Sequence, residues 1–416
     1  MGSLQEGIYH NCSNCTGPHF TVLLLRAVDG ATAPRIGGLL GRLWSVYQNL
    51  KNGVVVDLPG QRVPSGELRV LVGYGRNVFT RPCVGRRAPP ELLRYGFASP
   101  KAGSKDPVPI MPNSGIRYDE DVFDNPAEAD IAVQFTARTQ IAVHRPIVET
   151  WKCLRDLQQD PVERERAAAE QAPVVPLEMA GFFSGHQRDD RRSWIDFHDG
   201  VNNLRREERQ AAISIKPNAD AGWATGGTYM AFIRIAVNLT AWRALSRTEQ
   251  EHIVGRDKLT GAPLVRDGQG KGRPAPGCPV SGTSDVLQGG NEPFREQRFP
   301  ELLPDSHVQR ANNHRRQAPE FRASSRIYRQ GFEFLEPLDT APFFRAGLNF
   351  VSFQDSPERL HTILTQDRWL GGRNFGGDPK PTRGGSWLLT ARAAGMFLVP
   401  PVVKDERFPG HSILGY

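Results

Sequence analysis

Five cysteines in 416 residues, at positions 12, 15, 83, 153 and 278, give no disulfide framework, because their number is odd and their spacing scattered. Cys12-x-x-Cys15 stands without a second pair or a histidine set at zinc spacing, so it reads as a loop or core pair of thiols. No apolar run is long enough to span a bilayer, and the stretch 1–6 has neither a basic n-region nor a twin-arginine signal. The expectation is a soluble, cytoplasmic protein with no membrane partner, export of a processed form being left open. The net charge of +7 comes from Lys and Arg mixed among Asp and Glu, with no long basic block. Nucleic acid is therefore not an expected partner, and a mildly cationic surface would favour anionic small molecules. A P-loop, a Rossmann glycine fingerprint and a serine-hydrolase elbow are also missing.

What is there is 39% apolar and 9% aromatic residues, the composition of a globular protein long enough for two buried cores. Residues 20–27 read as a buried strand, followed from Ala33-Pro34 by a helix. Its apolar positions Ile36, Leu39, Leu40, Leu43, Trp44 and Tyr47 form the stripe of a helix laid on a sheet. Strands follow at 68–74 and 130–135. A helix from about Thr139, bent by Pro146, is expected to turn Ile147, Trp151 and Leu154 inward, and a strand at 174–182 closes the half. The order β-α-β-β-α-β is that of a ferredoxin-like unit.

The second half repeats it. A strand at 227–237 leads to a helix near 238–256 with Trp242 and Leu245 inward, restarted by a capping box at Ser246-x-x-Glu249. From 261 to 292 the chain is rich in Gly, Pro and Ser, which argues for a long surface loop. Strands at 325–334 and 348–353, a helix at 357–370 and a last strand at 395–399 complete the pattern. The predicted fold is α+β, two tandem ferredoxin-like domains at 1–190 and 191–416 with antiparallel sheets covered by helices. Two such halves leave a cleft for a cofactor.

The stretch 193–203, Ser-Trp-Ile-Asp-Phe-His-Asp-Gly-Val-Asn-Asn, packs carboxylates and a histidine between aromatics before a turn. Asp199 there is a candidate acid/base, although Asp before Gly is equally a turn former. His307, after Asp305-Ser306, reads as a loop histidine or a ligand; Arg329, in a strand, reads as the partner of a carboxylate or as a functional cation. One histidine without further protein ligands can still hold a haem iron axially, since the porphyrin supplies the in-plane donors.

Six segments in order carry a resemblance: Phe197-His198-Asp199-Gly200-x-x-Asn203, Gly226-Gly227-Thr228-Tyr229, the stretch 255–261, Ser306-His307-Val308, Arg326-Ile327-Tyr328-Arg329-Gln330-Gly331, and the stretch 347–354. Together they resemble the dye-decolorizing peroxidase family, of the longer-chain bacterial or fungal type, over nearly the whole chain. The resemblance implies two ferredoxin-like domains with haem b, one per chain, held chiefly by the C-terminal one. It implies His307 as the proximal iron ligand, Asp199 as the distal proton shuttle and Arg329 as the distal stabiliser of developing charge. Leu348 and Phe350 match the apolar wall of the distal pocket, and Gly200, Val201 and Asn202 its loop. Asn312, His314 and Arg315 are candidate haem-binding residues, and either Arg315 or His314 could meet a haem propionate.

The implied reaction is oxidation of dyes and phenolic or other aromatic reductants by hydrogen peroxide. An Asp base, ordinarily near ~3.9, stays usable where a His base, near ~6.5, is protonated, which predicts an acidic optimum. Bulky dyes would need surface relays, for which Trp223, Trp369, Trp387 and Tyr328 are conceivable, core packing being the commoner role of such residues. Where the family has Gly this chain has Asp196, and where it often has Pro this chain has Leu204. Asp196 either alters the field near Asp199 or points outward. After His307 the family's Ile-Arg and Asn-Pro-Arg are replaced by Val308-Gln309-Arg310 and Asn312-Asn313-His314-Arg315. The alternatives are a haem-binding or haem-carrier protein without efficient turnover, another haem reaction such as oxygenation, and a purely structural protein; a homo-oligomer is compatible with all of them.

Overall fold

The computed structural model describes residues 2–9, 17–99, 116–119, 121–123, 126–188, 190, 192–198, 203–204, 206–217, 221–266, 272–274, 306–311, 327–364 and 388–415. Eight strands carry the architecture: β1 (His19–Ala27), β2 (Arg69–Gly75), β3 (Ile131–Ala137), β4 (Leu177–His186), β5 (Thr228–Val237), β6 (Tyr328–Pro337), β7 (Phe344–Gln354) and β8 (Leu389–Val399). They pair antiparallel in the orders β4-β1-β3-β2 and β8-β5-β7-β6, each the ferredoxin-like order. The two sheets close on each other as a barrel. The joints are short: Gly75↔Phe397 and Tyr74↔Leu398 on one side, the single pair His186↔Glu333 on the other. Each sheet thus covers the other's edges, which would otherwise expose unpaired backbone groups.

The period of two in the strands decides the cores. Phe20, Val22 and Leu24 point into the barrel with Phe232, Phe332 and Phe397, whereas Leu23 and Leu25 point out toward helices. Inside, Phe20 of the first sheet stacks on Phe332 of the second with ring centroids 4.5 Å apart. Such a pair adds roughly 0.5–1.5 kcal/mol beyond its buried area. One charge shares this interior: Arg234 lies 3.6 Å from the Phe334 ring centroid, pairs with Glu336 at 2.5 Å and donates to Asn349 Oδ1 at 2.9 Å.

Helix α1 (Ala33–Lys51) begins with proline in its first turn and buries Ile36, Leu39, Leu40, Leu43 and Tyr47, as the stripe predicts. Helix α2 (Gln140–Gln159) runs on through Pro146. Its buried line passes through Val143, Ile147, Thr150 and Leu157, with Leu154 partly buried, and Trp151, expected inward, is 55% exposed. The correction is one of helical phase: Trp151 follows Thr150 by 100°, and the buried line takes Thr150, whose hydroxyl meets Tyr47 of α1 at 2.7 Å.

Strand ends also differ from expectation. β4 starts at 177 rather than 174, Pro176 having no N–H for a ladder, and runs on to His186, beyond the predicted 182, because the polar pairs Thr21↔Ser184 and His19↔His186 continue it. β8 begins six residues earlier than predicted, its small residues pairing with β5 across a bulge between Ala391 and Ala393. The helix expected at 238–256 is two, Leu239–Arg243 and α3 (Arg247–Val254), and the second does open on the capping box of Ser246 and Glu249. Within the loop expected at 261–292, Leu264–Arg266 and Gly272–Pro274 pair as a short hairpin; its remaining residues beyond 274 lie outside the described ones. Cys83 and Cys153 are free thiols, and positions 12, 15 and 278 lie outside the described residues. Among the described residues no helix is long and apolar enough to cross a membrane.

Candidate functional site

On the second sheet the pleat assembles one outward face from residues far apart in sequence. Arg329 pairs with Ser352, Gly331 with Phe350 and Glu333 with Leu348; Phe350 and Leu348 in turn oppose Ile233 and Ile235 of β5. Val351, Phe353, Phe332 and Tyr328 take the opposite, barrel side. Arg329, Leu348 and Phe350, singled out separately in the sequence, therefore share a face. All three are half-buried, as is Ile235. An apolar sheet face left half-open with a guanidinium at its end is a surface that expects a cover.

His307 opens the four-residue helix α4 (His307–Arg310). Its seat is made by α3, which ends on Gly255 in the left-handed region at φ +87°. A Cβ at Gly255 would stand 2.4 Å from Ser306 Oγ and 2.7 Å from Ser306 Cβ, so only glycine lets the two chains touch. Val308 packs beside Trp242, Val254, Ile195 and Phe197 in a small third core. That core joins the helix of His307 to the stretch 192–198. His307 is half-buried.

The stretch around Asp199 is held at both sides. Asn203, 9% exposed, donates from Nδ2 to the Arg329 carbonyl at 2.7 Å and accepts the Arg329 N–H on Oδ1 at 3.0 Å. The motif's last residue thus grips the peptide of the predicted distal arginine. At the other side Arg192 donates to the carbonyls of Asp196, Lys258 and Leu259 at 2.6, 2.8 and 3.0 Å, and its Nη2 lies 2.9 Å from His198 Nε2. Burial and the Arg192 cation both lower the pKa of His198, so the ring is neutral and Nε2 accepts from Arg192. Asp196 is exposed, pairs with Lys258 at 3.6 Å and sits at φ +66°. Asp196 thus points outward, and its left-handed backbone suits glycine, the residue the family resemblance puts at this place; Asp199, whose field it was weighed against, lies outside the described residues.

Asp199, Gly200, Val201, Asn202, Asn312, His314 and Arg315 lie outside the described residues, as do Trp369 and Trp387. Tyr328 is fully buried, with its ring edge-on to Tyr9 at 5.6 Å, and Trp223 is partly buried against Phe79. Asn203 was not foreseen as a site residue. Asn203 stood in the quoted motif, but its partner is 126 positions away, which no local signal announces.

Among the described residues no group of three or more His, Cys, Asp and Glu could hold a metal ion. A half-buried imidazole and, elsewhere in the same half of the chain, a half-open apolar face suit a macrocycle that brings its own in-plane donors. The fold defines a class, α+β proteins built from two ferredoxin-like sheets. The family profile described as "Dyp-type peroxidase, C-terminal" matches residues 190–404, just over half of the chain. The chain belongs to the Dyp-type peroxidase family, whose members are haem peroxidases. It is 25% identical over 399 residues to a protein named deferrochelatase from Shigella flexneri serotype 5b, covering 93% of this chain and 81% of that one. Its fold is similar to a DyP-type peroxidase from Streptomyces coelicolor, with a TM-score of 0.65 and 21% identity over 99% of this chain and 95% of that one. It is also similar to the DyP-type peroxidase from Cellulomonas bogoriensis, at 0.64 and 20% over 99% and 96%.

Proposed function

We propose that this chain is a haem b peroxidase, one haem per chain held by residues 191–416, which uses hydrogen peroxide to oxidise dyes and phenolic or other aromatic compounds. The observation that carries the reading is the double hydrogen bond from Asn203 to the Arg329 peptide, because it ties the loop of Asp199 to the strand of Arg329 on the half-open face. Four residues of chain reach at most about 14 Å, so the anchor keeps Asp199 in the neighbourhood of that strand.

When bound, haem supplies an iron site for peroxide and the electrons that cleavage of its O–O bond consumes. The chain's residues do the rest. His307 would hold the iron through one ring nitrogen, and Asn312, His314 and Arg315 would meet the propionates. Leu348 and Phe350, with Gly200, Val201 and Asn202, would wall the distal side and exclude water, strengthening every charge within it. Asp199 accepts a proton from one peroxide oxygen and returns it to the other, and Arg329 stabilises the negative charge that develops between them. No part of this needs a histidine base, and neutral His198 is already engaged by Arg192.

The test is to purify the protein with haem supplied, record the Soret band, and follow its change on adding peroxide. Asp199→Asn and Arg329→Leu should each slow that change at least a hundredfold while haem content is kept. Unchanged rates in both would remove the mechanism, and a Soret band that peroxide never alters would leave haem carriage without turnover. The relatives' name, deferrochelatase, favours a second reading in which this chain too removes iron from its chelate. Metal-free porphyrin appearing in the same sample, in place of oxidised reductant, would decide for it.

A further inference from the structure

The residues on either side of Arg329 face the inside of the barrel, where they meet the segment Gln5–Tyr9. Gln5 ties the start of this segment to the joint of β2 with β8. Its Oε1 accepts the Val72 N–H at 2.9 Å, and its Nε2 donates to the carbonyls of Val72 at 3.0 Å and Pro400 at 2.9 Å. Two residues on, the Gly7 carbonyl accepts from Gln134 Nε2 of β3 at 3.1 Å and from Gln330 Nε2 of β6 at 3.2 Å. Gln330 Nε2 also reaches the Ile8 carbonyl at 2.6 Å. Among the described residues neither Gln134 Oε1 nor Gln330 Oε1 finds a donor, so each buried amide is set by what its Nε2 reaches. Ile8 is wholly buried in the barrel core, and Tyr9 lays its ring edge-on to Tyr328. The Arg209 guanidinium lies 5.0 Å from the Tyr328 ring and 5.7 Å from that of Tyr9, and its Nε donates at 3.2 Å to the carbonyl of Leu204, the residue after Asn203.

We propose that Gln330 is a positioning residue for Arg329, acting through the segment Gln5–Tyr9 as a brace inside the barrel; this rests on the reading of Arg329 given above. Successive side chains of a strand leave on opposite faces, so a strand that rocks or slides moves its outward guanidinium together with its inward amide. β6 needs a brace at this end. Its ladder with β4 is the single pair at Glu333, four residues on, and beside Arg329 the amide of Asn203 stands in for a neighbouring strand. Gln330 fixes the same stretch from the other face, against a segment that β2, β3 and Pro400 hold independently. An apolar side chain of equal size would fill the space without fixing the distance, because its contacts have no direction and a hydrogen bond has one. Reactive geometry depends on this, since a displacement of about 1 Å can cost about a hundredfold in rate.

The test uses Gln330→Met, which keeps the volume and removes the donor. In haem-free protein, amide hydrogen exchange of residues 327–331 should quicken about tenfold while β1 is unaltered. In haem-loaded protein, affinity for fluoride, an anion that a neighbouring guanidinium stabilises, should fall about tenfold, and the peroxide reaction should slow about tenfold at constant haem content. Gln134→Met removes the other donor to Gly7, on the sheet that lacks Arg329. It should lower stability as much as Gln330→Met, yet stay within about twofold in fluoride affinity and peroxide rate. Tyr9→Ala takes the half-buried ring away from Tyr328 and should shift exchange and fluoride affinity in the same direction by about threefold, which decides the matter if Gln330→Met does not fold. Unchanged exchange overturns the proposal, and so does faster exchange with unaltered fluoride affinity and peroxide rate, which would leave the segment as a tie between the sheets alone. Equal losses of fluoride affinity and rate in Gln134→Met overturn it too, because the effect would then be one of barrel stability. Failure of the underlying reading shows separately: Arg329→Leu would then bind fluoride and react with peroxide like the parent, whatever the exchange of the Gln330 variant.

Discussion

The two sheets have the same strand order and opposite finishes. The outer face of the first is covered by helices of 19 and 20 residues, and Leu23, Val70, Val133 and Phe135 beneath them are wholly buried. Over the second, the described helix between β7 and β8 is α5 (Pro357–Leu364), 8 residues long, and Ile235, Leu348, Phe350 and Arg329 are half-buried. One β-α-β-β-α-β pattern has thus produced, among the described residues, a wholly buried outer face and one where Ile235, Leu348, Phe350 and Arg329 are half-buried beside buried Ile233. What differs is the cover, because a strand's pleat decides only which residues share a face.

That contrast puts the largest effect of any single change on the second half. His307→Ala should abolish haem retention, read as loss of the Soret band, and leave the thermal unfolding of haem-free protein unchanged. On the first half, Leu40→Ala should cost roughly 2–5 kcal/mol in chemical denaturation, the usual range for a fully buried leucine, with the haem-to-protein ratio of the folded fraction intact. Phe350→Ala would sharpen the comparison. It should destabilise haem-free protein by less than Leu40→Ala, its ring being half-open already, yet weaken haem binding about tenfold by titration. A Phe350 variant with the stability loss of Leu40→Ala and normal haem affinity would make the two faces alike.

A smaller effect concerns acid. Burial alone would raise the Glu336 carboxyl, but Arg234 and Arg345 outweigh it and hold the pKa below the usual carboxylate range. The folded state therefore binds its proton later than the unfolded state does. The stability this contributes is present above the ordinary Glu value, near ~4.3, and is lost as pH falls through the folded one. Arg234, which burial pulls down to about 10, stays charged throughout. Glu336→Gln should flatten the acid limb of denaturant-measured stability below about pH 4.3. The smallest effect is expected at Asp196→Gly, exposed and already left-handed: within about 0.5 kcal/mol in stability, and no change in the peroxide reaction.

Much of the fold was readable because hydrophobic period is a local quantity. The alternation around 20–27 and the stripe of α1 each follow from residues within a few positions of one another, and so does the capping box at Ser246. Errors fell where a neighbour decides. Trp151 lay one helical step from Thr150, and packing against Tyr47 of α1 took the smaller residue; β4 ran on through His186 because its partner strand continued, not because its own pattern did.

For the site, the sequence by itself determined the residue types and their order: a carboxylate on a glycine turn, a histidine after Asp-Ser, an arginine in a strand, and two apolar residues two apart. Sequence spacing could not place Arg329, Leu348 and Phe350 on one face, since that depends on the register of β6 against β7. Nor could it reveal Asn203 holding the Arg329 peptide across 126 positions. Those bonds join chain segments that only closure of the second sheet brings within 3 Å, and a hydrogen bond has no reach beyond that distance to leave a trace in local pattern.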